Sequence, residues 1–207
     1  MDARRRRAFS FIERLAGGPA RLKIIIALAS VLGLQGAATG AIGSMSEALE
    51  RGLHLSKTDI GLILACSLLA GALGSLPFGW LVDRIARTRI LAWAICAWGV
   101  AMVLSACATG FVFLLFSQLL LGGVLACATP SVASLVGDVF PQTERGKIYS
   151  DVLAGELIGT GIGYLGAGAL ATWSWRAGFA ALSLPAFALA WWFGRLREPA
   201  RGGRGVL

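Results

Sequence analysis

The chain has 207 residues and a formal net charge of +8, yet only 14% of its residues are charged and 57% are hydrophobic. With a mean hydropathy of +0.74, that balance excludes a soluble globular domain and defines an integral membrane chain. The positive surplus is therefore read against a bilayer. Nucleic acid is not expected as a partner, because no aromatic platform is interleaved with the basic residues.

A basic arm, residues 1–21, comes first, with the run Arg4 to Arg7 followed by Arg14 and Arg21. About twenty apolar residues carry a helix across the hydrocarbon core. Six segments qualify, near 22–44, 58–82, 89–109, 111–137, 148–171 and 175–195. They form one bundle over 22–196, and 197–207 is a tail or the start of a linker. The length of the first segment and the long basic arm before it fit a retained helix better than a cleaved signal peptide. Runs such as IGLILACSLLAGALGSL do not alternate as barrel strands do. The predicted fold is all-α with six membrane helices.

Charge placement predicts the orientation. If all six segments span, every basic residue except Arg51, Lys57 and Arg176 falls on one side. Cytoplasmic loops collect Lys and Arg, so both termini are expected in the cytoplasm of a plasma-membrane protein. The arginine run then reads as a topology determinant and a contact for anionic lipids. Trp80, Trp93, Trp173, Trp175, Trp191 and Trp192 sit near predicted span ends, where indoles favour the headgroup layer, whereas Trp98 falls deeper.

Chemistry-bearing clusters are scarce. Cys66, Cys96, Cys107 and Cys127 are spread through the apolar segments without metal spacing, and His54 is the only histidine. Neither a disulfide framework, a metal site nor a cofactor is expected. There is no HExxH, no GxSxG and no paired catalytic carboxylates, so an enzyme is not expected.

Two stripes of small residues stand out. Ser67, Gly71, Ser75 and Gly79 recur every four residues in the second segment, as do Gly155, Gly159, Gly163 and Ala167 in the fifth. Such stripes let another helix backbone approach closely. Their position on the second member of each three-helix set fits a 3+3 inverted repeat. Three polar side chains interrupt apolar segments. Glu156 lies about 12 Å along its helix from Ile148, where a carboxylate is costly and should face the bundle interior to take a proton, sodium or a cationic group. A structural carboxyl is the equal alternative. Gln35 and Gln118 are candidates to line a cavity or to bridge helices.

The connection GWLVDRIARTRIL, Gly79 to Leu91, resembles the loop between helices two and three of major facilitator superfamily transporters, G-x-L-A-D-R-x-G-R-[RK]-x-x-L. Gly79, Leu81, Asp83, Arg84, Arg87 and Leu91 match, while Ala86 and Thr88 depart. DVFPQTERGKIYS, Asp138 to Ser150, is similar to the D-x-F-P-x-x-x-R-G element of the Spinster-like branch. LIGTGIGYLGAG, Leu157 to Gly168, resembles that branch's fifth helix. Trp175, Arg176 and Phe179 match W-R-x-x-F; Arg197, Glu198, Pro199, Arg201 and Gly202 match R-E-P-x-R-G.

The resemblance spans about 44–202 and implies the N-terminal six-helix half of a twelve-helix facilitator. It further implies that Asp83, Arg87 and Asp138, with Arg84 and Arg145 in the same loops, form a charge relay that gates the cytoplasmic end. Helices two and five would line the contact with a second half, so the small-residue stripes become candidates for inter-half packing. The expected partners are membrane lipids, a small-molecule solute, and either a missing C-terminal half or a second copy. Two familiar coupling devices are missing: Gln118 stands where many relatives carry an arginine, and GLQGAATGAIG, Gly33 to Gly43, lacks the Asp-Arg pair. The expected function is transport of a small organic or lipid-like solute by alternating access. The alternative is a non-transporting six-helix scaffold or a truncated remnant.

Overall fold

The computed structural model describes residues 19–84, 87–126 and 128–195. They form eight helices: α1 (Pro19–Ser44), α2 (Ser46–Leu53), α3 (Lys57–Arg84), α4 (Arg87–Ala106), α5 (Phe111–Leu125), α6 (Ala128–Val139), α7 (Arg145–Ala171) and α8 (Trp175–Gly194). Among the described residues, six spans are long and apolar enough to cross a membrane. Five of them are α1, α3, α4, α7 and α8. The fourth is α5 and α6 in series, where the sequence predicted one helix over 111–137. Pro130 accounts for the second start: its ring cannot continue an interior hydrogen bond but is tolerated in a first turn, and it is the third residue of α6.

The short α2 was not predicted. It carries SEALERGL, with Leu49 buried and Glu47 and Arg51 exposed, ending at His54 in the left-handed conformation (φ 53°). Next comes a capping box. Ser56 accepts from the Asp59 backbone N–H (3.1 Å), and the Asp59 carboxylate accepts from the Ser56 backbone N–H (2.8 Å), satisfying donors that the first turn of α3 leaves open.

The three most extensive helix contacts are α1 with α7, α4 with α8, and α3 with α5. In spans, these are one with five, three with six, and two with four. Exchanging spans 1–3 for spans 4–6 maps the first pair onto the third and the second onto itself. That is the pairing of an inverted repeat, and each three-helix set is completed by the other.

Small residues make these contacts. Along α1 and α7 the two backbones touch: Gly159 lies on Gly33, Gly163 on Ala37, and Gly36 on the Glu156 carbonyl. Between α3 and α5, Gly122 lies on Ser67, and a methyl on Gly71 would sit 3.2 Å from the Gly122 carbonyl oxygen. Lipid tails are as apolar as Leu, so close van der Waals approach rather than a hydrophobic drive joins the helices. This corrects the reading of Gly155, Gly159 and Gly163 as inter-half packing: that stripe faces α1 inside the bundle. Ala167 is buried as well. The outward faces of α3 and α7 carry large apolar residues instead, among them Leu69, Leu73, Leu157 and Leu165.

Candidate functional site

A cavity of about 780 Å³ opens between α1, α3 and the α5–α6 pair. The stripe on α3 makes room for it. Gly71 and Ser75 line one wall, Gln35 and Thr39 of α1 a second, and Gln118 and Thr129 a third. The two glutamines expected in a pathway therefore converge. Gln118 is 1% exposed. Its Nε2 donates to Ser105 Oγ (2.9 Å), which lies 2.9 Å from Ser117 Oγ, so a small polar cluster ties α5 to α4. The Oε1 atoms of both Gln35 and Gln118 are buried without a hydrogen-bond partner. Gln35 also borders a cavity of about 20 Å³ beside Trp98, whose buried indole N–H is likewise unpartnered.

Glu156 stands apart from this cavity. It is partly buried on α7, where its backbone carbonyl accepts from Thr160 Oγ1 (2.9 Å) and abuts Gly36. Among the described residues no hydrogen bond or ion pair holds its carboxylate. The three polar candidates thus divide, with two on one cavity and the third at the α1–α7 seam.

At the end of the bundle where α1 begins, the side chains of Asp83, Arg84 and Arg87 lie outside the described residues. Asp138 is partly buried on the last turn of α6 and is engaged in an interaction. Arg145 is the first residue of α7. Its Nε donates to the Phe140 carbonyl (2.9 Å) and its Nη2 to the Gly137 carbonyl, so it closes the C-terminal end of α6. A guanidinium suits that place because the last carbonyls of a helix lack partners and carry partial negative charge. Arg176 does the same at the opposite end, donating to the Ala108 carbonyl (3.1 Å) beyond α4 while stacking on Trp175 at 4.2 Å.

One pair escaped the sequence reading. Arg21 of α1 meets Glu144 at 3.2 Å, with its guanidinium 5.8 Å from the Phe140 ring centre. The residues belong to distant segments, and no spacing rule joins them. Trp175 is 5% exposed and packed on Gly52, whereas Trp173 is 88% exposed and Trp93 76%. Among the described residues no three His, Cys, Asp or Glu side chains gather as a metal site.

The Major Facilitator Superfamily profile matches residues 27–205. The chain belongs to that family. It is 24% identical over 168 residues to the 4-hydroxybenzoate transporter PcaK of Pseudomonas putida, covering 81% of this chain and 38% of that protein. A putative metabolite transport protein of Haemophilus influenzae is 30% identical over 183 residues, covering 86% and 44%. The chain thus spans less than half the length of these relatives. Among solved structures, a bacterial homologue of the human lysosomal transporter Spinster, inward-facing and unoccupied, superposes with a TM-score of 0.78 at 22% identity. The match covers 89% of this chain and 44% of that one. That likeness is one of fold.

Proposed function

We propose that this chain forms one six-helix half of a secondary transporter that moves a small organic solute by alternating access. The observation that carries this reading is the cavity of about 780 Å³ walled by Gln35 and Gln118 among helices that pack as an inverted repeat. A carrier needs a solute-sized chamber within its spans, with polar groups that orient the solute and apolar walls that do not trap it. The outward apolar faces of α3 and α7 are the surface for a second six-helix unit, either a C-terminal half or a second copy. Asp83, Arg84, Arg87 and Asp138 are the gate at the end where α1 begins. A plasma-membrane location with cytoplasmic termini follows from the basic residues at that end.

The test is counterflow in proteoliposomes with a panel of labelled solutes, using the chain alone and the chain joined to any further helices its gene encodes. Uptake that is lost on Gln35→Leu and Gln118→Leu supports the carrier. A well-folded protein that binds and moves nothing, in either form, would leave a six-helix scaffold.

A further inference from the structure

A groove of about 840 Å³ opens between the end of α4 and the first turns of α5. Leu104, Val112, Phe113, Phe116 and Leu120 line it, with Thr109 and Gly110 where the two spans end. No residue of α3 or α7 takes part, so the groove is apart from the faces left to a second six-helix unit. Gly110 and Leu120 are ten residues apart, about 15 Å of helix rise. A hydrocarbon core is about 30 Å thick, so the groove runs one leaflet deep. Its outer end is positively charged. The exposed Arg176 donates from Nη2 to the carbonyl of Ala108, next to Thr109, and stacks on Trp175. That bond uses one of five guanidinium N–H donors, and among the described residues no carboxylate pairs with Arg176. The first turn of α5 adds to the field: no side chain caps it at Gly110, and open N–H groups at a helix start favour an anion.

We propose that this groove holds one anionic phospholipid, with its phosphate at Arg176 and the start of α5 and an acyl chain along Val112, Phe116 and Leu120. The site does not depend on the carrier reading. A chain lying in a concave apolar face gains dispersion contacts that a flat face cannot offer. The charge at the outer end then separates a retained lipid from one that merely passes. A neighbouring protein helix would cover the groove equally well, but it would bury Arg176 without an anion to balance it.

The test is native mass spectrometry of the full chain in detergent, titrated with phosphatidylglycerol and with a diacylglycerol of the same chains. The expected result is one phosphatidylglycerol per chain, with the diacylglycerol held about fivefold more weakly, as loss of one ion pair would give. Arg176→Gln should weaken phosphatidylglycerol by about the same factor and leave the diacylglycerol unchanged. Val112→Trp, at an exposed position, should fill the groove and weaken both. Arg176 also holds the Ala108 carbonyl, so should its variant misfold, Val112→Trp decides alone. Equal binding of the two lipids, or phosphatidylglycerol binding unchanged in either folded variant, would overturn the site. Soluble glycerol phosphate binding as tightly as the lipid would assign the charge to a free phosphate and overturn the acyl groove.

Discussion

Arg21 and Glu144 stand 123 residues apart in the chain and 3.2 Å apart in space. Arg21 keeps only 15% of its side chain exposed, against 48% for Glu144. The pair lies between the surface regime, where ion pairs contribute about 0–1 kcal/mol, and the buried one, where breaking a pair costs more. We expect Arg21→Met and Glu144→Gln each to lower stability, and a double-mutant cycle to return a coupling of roughly 1 kcal/mol. Thermal melts in detergent at low and high salt would measure it, and a coupling indistinguishable from zero would reduce the pair to decoration.

Glycines on α7 offer an internal comparison. A methyl on Gly159 would overlap the Gly33 backbone, and one on Gly163 the Ala37 backbone, whereas Gly161 faces open space. Gly159→Ala and Gly163→Ala are therefore expected to separate α1 from α7, with a loss of about 1–3 kcal/mol from overpacking. Gly161→Ala should be neutral or gain up to about 1 kcal/mol from helix propensity. Equal melting temperatures for the three variants would contradict the α1–α7 contact.

Arg145 distinguishes a cap from a gate. If it closes α6, Arg145→Ala should cost about 1.5–3 kcal/mol, the range for hydrogen bonds to a charged group. Arg145→Lys should restore part of that loss through the helix dipole alone. A gating role would instead leave stability unchanged and alter which end of the bundle admits a cysteine-reactive probe.

The Glu156 carboxylate has no partner among the described residues, so Glu156→Gln should shift stability by less than about 0.5 kcal/mol. Uptake measured across pH then reports its role. Transport that loses its pH dependence in the variant would assign proton coupling to Glu156, and an unchanged profile would leave it structural.

The six spans were legible because length and hydropathy alone report the thickness of a bilayer. Gln35 and Gln118 were equally visible, as amides interrupting apolar runs, and their convergence follows once α1 and α5 border the same cavity. Other features were hidden for physical reasons. The α2 segment is polar and short, with one buried leucine, so no apolar run announces it. The break before α6 is written in Pro130, but an apolar run reads through a proline unless its place in a helical turn is known. Spacing showed that Gly155, Gly159 and Gly163 share a face, and only packing could show that the face belongs to α1. The contacts of Arg145 were hidden because a sequence displays its ions and conceals its carbonyls.

The exchange of partners between the two three-helix sets bears on how the chain is made. Gly33 emerges from the ribosome early, and the glycine it rests against, Gly159, is still 126 residues away. At about 5–20 residues per second, that interval is roughly 6–25 s. For that time α1 must wait in the membrane with its small-residue face bare, while α3 and α5 can already meet. Neither triplet is an autonomous folding unit. A nascent chain stalled before α7 would carry an orphan helix, the kind of exposed seam that membrane chaperones and proteases can recognise.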